Sequence, residues 1–413
     1  MAAPLPRQLE LLERVPPFRL LFFATLGSGV GTWLAAIALT IDVFDRTGSG
    51  TWVSALLIAD FLPTIFIGLA LGSLLDRLPR QKLMVGADLA RLLVFCYLPF
   101  ARSATEIVVA AGVVGTANGF FRPAVYAGMP NLVDDEDLPH ANALFQTTEN
   151  ATWAIGPLLG GILVAQSGPH LAYWINAVTF LGSALLVARI APGALQAARA
   201  ITKGHWTDLK DGFRVVFHSR ALLAVLIAWT IVMLANAGVN VGEVILAKKT
   251  FSAGAFGFGL LAASSGVGLV VGSVLAARMI ERRGTAKAYA GGIALMAIGT
   301  LAAAVSPNVW VAAPCVALSG LGNGSANVCN GLLVQRGAPD ALRGRAITLI
   351  MSVNYAVLGL AMAGAGVLVD HVGARWLWGG AALASLAGAV AAAALAPRRE
   401  ASVLPAQAEN AAL

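Results

Sequence analysis

Long apolar runs, separated by short polar turns, follow one another along almost all of the 413 residues. A membrane-spanning helix needs about 20 mostly apolar residues, and twelve runs approach or exceed that length. The predicted spans are Phe18–Thr40, Trp52–Leu75, Leu83–Phe100, Ile107–Tyr126, Ala143–Gln166, Ala172–Val187, Leu222–Val244, Gly257–Ala277, Ala286–Val305, Trp310–Val334, Ala346–Val369 and Trp376–Leu395. The pattern therefore predicts an all-α membrane protein with twelve transmembrane helices.

The longest hydrophilic stretch, Ala191–Arg220, separates six of these spans from the other six. We expect a six-helix N-terminal bundle over residues 1–190, a cytoplasmic linker over 191–220, a six-helix C-terminal bundle over 221–397 and a disordered tail over 398–413. Apolar residues recur at helical spacing in the linker and predict an amphipathic helix at the membrane surface. They are Trp206, Leu209, Phe213, Val216 and Phe217.

Short motifs of the first half recur about 200 residues later. Gly72-Ser73-Leu74-Leu75 returns as Gly272-Ser273-Val274-Leu275, and Asn118-Gly119 returns as Asn323-Gly324. Internal repeats of this kind are typical of transporters that bind their solute where the repeats meet. The repeats predict two pseudo-symmetric bundles around a central cavity.

Basic residues lie mainly on one side of the predicted spans. With the topology above, only five of the 28 Lys and Arg residues fall on the outer side, and the other 23 fall on or near the inner side. Because cytoplasmic loops carry the excess of Lys and Arg, both termini are predicted to be cytoplasmic. The net charge of +7 thus reflects topology, and no nucleic-acid partner is expected.

Three acids fall within predicted spans: Asp60, Glu149 and Glu243. A carboxylate in hydrocarbon is costly and should face the protein interior or a wet cavity. Each of the three is a candidate for proton coupling. The alternative, a structural acid bonded to a neighbouring hydroxyl or amide, stays open.

Polar and aromatic residues form stripes on several spans at the i, i+3/i+4, i+7 spacing of one helix face. Buried amides often join helices, so helix-to-helix bonding is one interpretation. The other is a central cavity suited to a large amphipathic solute. The candidates for its wall are Trp33, Asn150, Trp153, Trp229, Asn236, Asn240, Asn323, Asn327 and Tyr355.

The sequence offers little support for an enzyme or for a directly ATP-driven pump. Its three cysteines and five histidines show no metal-ligand spacing, and no metal or cofactor is expected. A phosphate-binding loop of the Gly-x-x-x-x-Gly-Lys-Ser/Thr type does not occur. The energy for transport would then come from an ion gradient.

The hydrophilic stretch Gly72–Lys82 opens with small residues, carries an acid and ends with bases. It resembles the signature loop between helices 2 and 3 of the major facilitator superfamily. The resemblance implies that Asp76 meets the N-terminus of helix 11 as a gate, with a static interface salt bridge as the alternative. The residues assigned to gating are Gly72, Asp76, Arg77, Arg80, Asp88, Arg91 and Arg345.

A second motif, Gly156-Pro157-Leu158-Leu159-Gly160-Gly161, is similar to the helix 5 motif of drug/proton antiporters in that superfamily. Its glycines favour close packing of helix 5, with helix 8 as the expected neighbour. Smaller matches, including Thr47-Gly48-Ser49 and Arg122-Pro123-Ala124, resemble the branch of macrolide-type and enterobactin-type exporters. The stretch Gly112–Asn118 departs from the antiporter pattern because it lacks the usual mid-helix Arg.

Together these features predict a secondary transporter of the bacterial cytoplasmic membrane. It would export amphipathic small molecules such as drugs, macrolide-like metabolites or siderophores, by alternating access and proton antiport. An importer of a nutrient or metabolite, or a lipid translocator, would use the same fold and stays open. The expected partners are the solute, protons and the lipid bilayer, and the resemblance implies a monomer.

Overall fold

The computed structural model describes residues 7–70, 78–191, 193–196 and 213–396, and in these ranges the chain forms helices and no strands. Three gating candidates, Gly72, Asp76 and Arg77, lie outside the described residues. So do the tail and most of the predicted linker helix, including Trp206 and Leu209.

The long helices, numbered in chain order, extend well beyond several of the predicted spans. They are α1 (Pro16–Thr47), α2 (Gly50–Ala70), α3 (Arg80–Tyr97), α4 (Ala104–Gly128), α5 (Leu138–Ser167), α6 (Pro169–Ala188), α7 (Arg220–Ile245), α8 (Gly254–Arg283), α9 (Thr285–Val305), α10 (Val309–Gly337), α11 (Asp340–Val372) and α12 (Ala374–Leu395). A short leading helix, Arg7–Arg14, precedes α1, and α7 continues as a π-helical turn over Leu246–Thr250.

In the described part of the chain, ten of these helices are long and apolar enough to cross a membrane. The protein is therefore a multi-pass membrane protein. The long helices α5 and α10 are not among the ten, and both carry polar stripes recognised in the sequence. Twelve membrane spans remain a prediction.

Local sequence signals set several helix ends. Asn308 begins α10, and its side chain accepts a hydrogen bond from the Val311 amide at 3.1 Å. Ser103 does the same for α4, because it accepts from the Glu106 amide at 3.3 Å. Such caps satisfy amides that have no partner within the helix. Gly48 ends α1 in the left-handed conformation, with φ of 63°, where a side chain is disfavoured.

The pattern of helix packing in α1–α6 recurs in α7–α12, with each helix number raised by six. In α1–α6, helix α1 packs against α5 and α6, α2 against α4, and α3 against α4 and α6. In α7–α12, helix α7 packs against α11 and α12, α8 against α10, and α9 against α10 and α12. The main contacts between these two sets join α5 to α8 and α2 to α11. The same rule relates these two contacts to each other, because α11 is the counterpart of α5 and α8 is the counterpart of α2.

We call the end of the molecule where α1 begins and α12 ends the terminal end, and the opposite end the far end. At the terminal end, Arg80 donates to the carbonyl oxygens of Ala127 and Leu195 at 2.9 and 2.8 Å. The leading helix buries Leu11, and its Arg14 pairs with Asp137 at the start of α5. The first six helices are thus bound together at this end by the segments that flank them.

Only the last turn of the predicted linker helix is described, over residues 213–218. Val216 is buried against the last six helices. Phe213 and Phe217 are exposed, and their rings stack 6.0 Å apart. This turn has one buried apolar residue and an exposed aromatic side.

Candidate functional site

A cavity of about 940 Å³ lies between α1–α6 and α7–α12. Its wall is formed by α1, α3, α4 and α5 on one side and by α8, α10 and α11 on the other. Most of the lining residues belong to the terminal-end half of their helices. The wall is rich in aromatic side chains: Phe22, Trp33, Phe121, Tyr126, Phe145, Trp153 and Tyr355.

Glu149 on α5 is the carboxylate of this cavity. Its Oε1 accepts a hydrogen bond from the Tyr126 hydroxyl at 2.8 Å and faces Arg122 Nη2 at 3.4 Å. The Arg122 and Glu149 side chains are 61% and 40% exposed, so the pair is open to the cavity. An exposed pair of this length is weak, and a charged solute could compete for either partner.

Aromatic rings line the same cavity as this pair. The Trp33 and Trp153 rings lie 6.2 Å apart and tilted by 52°, and Trp153 lies one turn beyond Glu149 on α5. A ring face beside a carboxylate attracts an organic cation through both charge and quadrupole. Across the cavity, Tyr355 on α11 meets Phe61 on α2 edge-on, with ring centroids 5.3 Å apart.

Asp88 and Arg91 form a buried ion pair inside the first six helices. Ser183 on α6 donates to Asp88 Oδ2 at 2.7 Å, and Arg91 donates to Asn118 Oδ1 on α4 at 2.9 Å. The guanidinium lies between two rings, 4.3 Å from the Phe121 centroid and 4.4 Å from that of Phe180. Both residues are gating candidates from the sequence. They lie more than two turns into α3, where the pair joins α3, α4 and α6.

The remaining gating candidates have separate positions. Arg80 is bonded within the first six helices, as described above, and Arg345 lies half-buried in the second turn of α11. Because Asp76 lies outside the described residues, its contact with α11 stays a prediction.

The helix 5 motif lies where α5 touches two neighbours. A Cβ on Gly156 would be 2.5 Å from Trp33 Cβ on α1, and one on Gly160 would be 3.1 Å from the Leu34 carbonyl. A Cβ on Gly161 would be 2.9 Å from Gly259 Cα on α8. The carbonyl oxygen of Pro157 faces Gly259 as well. These glycines allow α5 to pack backbone to backbone on α8, beside the cavity.

At the far end, hydrogen bonds join the two sets of helices. Asp370, in the last turn of α11, accepts four of them from Ser49, Gly50 and Thr51 at the start of α2, at 2.6–3.1 Å. Lys248 pairs with Asp45, and Lys249 donates to the Gly48 carbonyl at 2.6 Å. The cavity is therefore closed towards the far end.

The other two acids within predicted spans are not among the residues that line this cavity. Asp60 is exposed on α2, and its carboxylate makes no hydrogen bond or ion pair with the described residues. Glu243, near the end of α7, has a buried Oε1 with no hydrogen-bond partner in the described part of the chain.

Five of the predicted wall residues line the cavity: Trp33, Asn150, Trp153, Asn327 and Tyr355. Trp229 does not, because it is buried between α7 and α9 with its ring stacked on Tyr289 at 6.4 Å. Asn323 bonds to Asn327 within α10 at 3.1 Å. Asn236 and Asn240 are also not among the residues of this wall.

Sequence reasoning gave no site role to Arg122, Tyr126 or Asp370. Arg122 and Tyr126 lie four residues apart on α4, at the spacing of one helix face, and this was the available signal. Asp370 could have been noticed because an acid in the last turn of a helix opposes the helix dipole.

Packing pairs that recur six helices apart, around a cavity with polar and aromatic walls, are typical of membrane transporters built from internal repeats. The chain belongs to the transmembrane secretion effector family of the major facilitator superfamily, which it matches over residues 12–411. The family and the relatives compared below are membrane transporters and not enzymes.

Two of the proteins that this chain is similar to are bacterial efflux proteins. The multidrug efflux pump Tap of Mycolicibacterium fortuitum is 27% identical over 377 residues, which cover 86% of this chain and 90% of Tap. Macrolide efflux protein A of Streptococcus pyogenes is 24% identical over 277 residues, or 64% of this chain and 68% of that protein.

A crystal structure of a bacterial homologue of the iron transporter ferroportin, in its inward-facing state, superimposes with a TM-score of 0.74. The two sequences are 15% identical, and the superimposed region covers 91% of this chain and 98% of the ferroportin homologue. This likeness shows a shared fold.

Proposed function

We propose that the protein is a secondary active exporter of amphipathic small molecules, working by alternating access and proton antiport. The cavity between the two sets of helices carries this proposal. It has room for a drug-sized molecule, aromatic walls for an apolar body and an exposed Arg122–Glu149 pair for a charged group. The named relatives, which are efflux pumps, support export as the direction.

Glu149 is the acid that we assign to coupling. Antiport requires that proton and solute bind alternately, which is simplest when both compete for one group. Glu149 lines the cavity, whereas Asp60 and Glu243 are not among its lining residues. Its Oε2 makes no hydrogen bond with the described residues, so it is available to a solute cation or a proton.

The same proposal includes twelve membrane spans arranged as two six-helix bundles, in a monomer of the bacterial cytoplasmic membrane with both termini inside. The repeated helix contacts support the two bundles. The distribution of basic residues supports the orientation.

The test uses purified protein in liposomes that contain a pH dye. A proton gradient is imposed, and cationic dyes, macrolides and catecholate siderophores are added in turn. We expect proton movement that depends on one or more of these solutes, and we expect Glu149→Gln to abolish it. Glu136→Gln, at an exposed acid outside the long helices, is the matched control and should behave as wild type.

Two further variants separate the acids. If Glu149→Gln transports protons normally while Asp60→Asn or Glu243→Gln does not, coupling belongs to that other acid. If folded wild-type protein moves no protons with any solute of the panel, the proposed proton-coupled export of these solutes is wrong.

A further inference from the structure

Asp370 joins the two sets of helices at the far end of the molecule. Its Oδ1 accepts from the Gly50 amide at 2.6 Å, and its Oδ2 accepts from the Ser49 hydroxyl at 2.6 Å. Oδ2 also accepts from the amide and the hydroxyl of Thr51, at 3.1 and 2.9 Å. One carboxylate on α11 therefore binds three consecutive residues, 49–51, at the start of α2.

This position is unfavourable for α11 on its own. The C-terminal end of a helix is negative, so a carboxylate in the last turn is repelled by its own helix. The first turn of a helix is positive and has amides without partners within that helix. The favourable interaction of Asp370 with the start of α2 offsets its unfavourable interaction with the end of α11. This offset exists only while the two helix ends are in contact.

The surrounding contacts show that the ends do touch. Ser54, one turn into α2, donates to the Met362 carbonyl of α11 at 2.7 Å. A Cβ on Gly366 would lie 2.7 Å from Ser54 Cβ. Separating the far ends of α2 and α11 therefore requires that the bonds to Asp370 break.

We propose that Asp370 is a positioning residue of the transport cycle, which holds the far end closed while the cavity is accessible from the other end. Release of α2 by Asp370 is then a necessary step of far-end opening. The inference rests on the alternating access proposed above. It does not depend on the solute, on the direction of transport or on the coupling ion.

Hydrogen–deuterium exchange of the full chain in detergent or nanodiscs tests this directly. We compare wild type with Asp370→Asn, which keeps the size of the side chain but removes its charge. Asp135→Asn, at an exposed acid of the opposite end, is the control. A hydrogen bond to a charged group shifts an equilibrium by roughly tenfold or more, so exchange across residues 50–54 should rise by about that factor.

The direction in which hydrogen exchange changes at the terminal end distinguishes gating from a loss of stability. If Asp370 is a gate, exchange rises at the far end and falls in the cavity-lining parts of α4 and α5, because the population moves towards the state opened at the far end. Uniformly faster exchange at both ends would mean a structural role only, and unchanged exchange at residues 50–54 would also overturn the proposal.

A double side-chain variant gives a graded check. Ser49→Ala with Thr51→Ala removes two of the four donors and leaves the two backbone amides. The exchange rate of residues 50–54 in this variant should lie between the rates of the wild type and of Asp370→Asn. An exchange rate equal to that of the wild type, or higher than that of Asp370→Asn, contradicts the assignment. Failure of all solutes in the liposome assay would leave these outcomes unaffected.

Discussion

Single residues of this protein hold charge inside the membrane in two different ways. Arg91 is buried, with a carboxylate, an amide oxygen and two aromatic faces around its guanidinium. Arg122 is mostly exposed to the cavity, with one distant carboxylate oxygen. The first arrangement fixes three helices together, whereas the second leaves a charge that a solute can reach.

We expect Arg91→Met to destabilise the protein strongly. Asp88 would then be a buried charge without its cation, which costs about 3–5 kcal/mol. The temperature of unfolding in detergent should fall by several degrees. Asp88→Asn combined with Arg91→Met removes both charges and should recover most of the loss. A double variant as unstable as Arg91→Met would show that the ion pair is not the cause.

For single residues, the sequence predicted several members of the cavity wall but did not predict which side chains they contact. Asn150 and Trp153 were recognised as candidates for the cavity wall and Glu149 as an acid within a span, and all three line the cavity. Arg122 was not paired with Glu149, because their 27-residue separation crosses a helix boundary and gives no fixed geometry. Trp229 was misplaced because spacing on α7 does not tell a core face from a cavity face.

At the scale of elements, α5 depends on glycine at its contact with α8. Gly161 and Gly259 face each other so closely that a Cβ on Gly161 would lie 2.8 Å from the Ala255 carbonyl. The sequence indicated this contact through the glycines of the helix 5 motif. It could not indicate that Gly156 makes room for Trp33, because that depends on how α1 lies across α5.

Gly161→Ala should therefore lower the unfolding temperature, since forcing extra volume into a tight contact costs about 1–3 kcal/mol. Gly182→Ala on α6 is the matched control, because a Cβ there meets nothing within 4 Å. Alanine is the better helix former by up to about 1 kcal/mol, so the control should be neutral or slightly stabilising. Equal effects of the two changes would contradict the packing argument.

At the scale of the whole molecule, the run of apolar segments predicted an all-helical membrane protein, and the structure agrees in the part of the chain that it describes. Which helices pack together was not readable from the runs, since hydropathy carries no information about neighbours. Closure at the far end was likewise missed, because Asp370 and Ser49 are more than 300 positions apart in the chain.

The orientation that we propose for the protein in the membrane can be measured. A fluorescent protein that folds only in the cytoplasm, fused after Leu413, should fluoresce in bacterial cells, because most Lys and Arg residues lie on the side of the termini. Alkaline phosphatase, which is active only outside, should be inactive at the same position. Active phosphatase with a dark fluorescent fusion would reverse the topology.

The recurrence of each packing pair six helices later bears on the ancestry of the chain. A six-helix ancestor that paired with a second copy of itself would have made the α5–α8 and α2–α11 contacts with one self-complementary patch. In such a homodimer every charge in the cavity would have been present twice. Gene fusion removes that constraint: one copy can keep Arg122 and Glu149 while the other presents the neutral Asn327 and Tyr355.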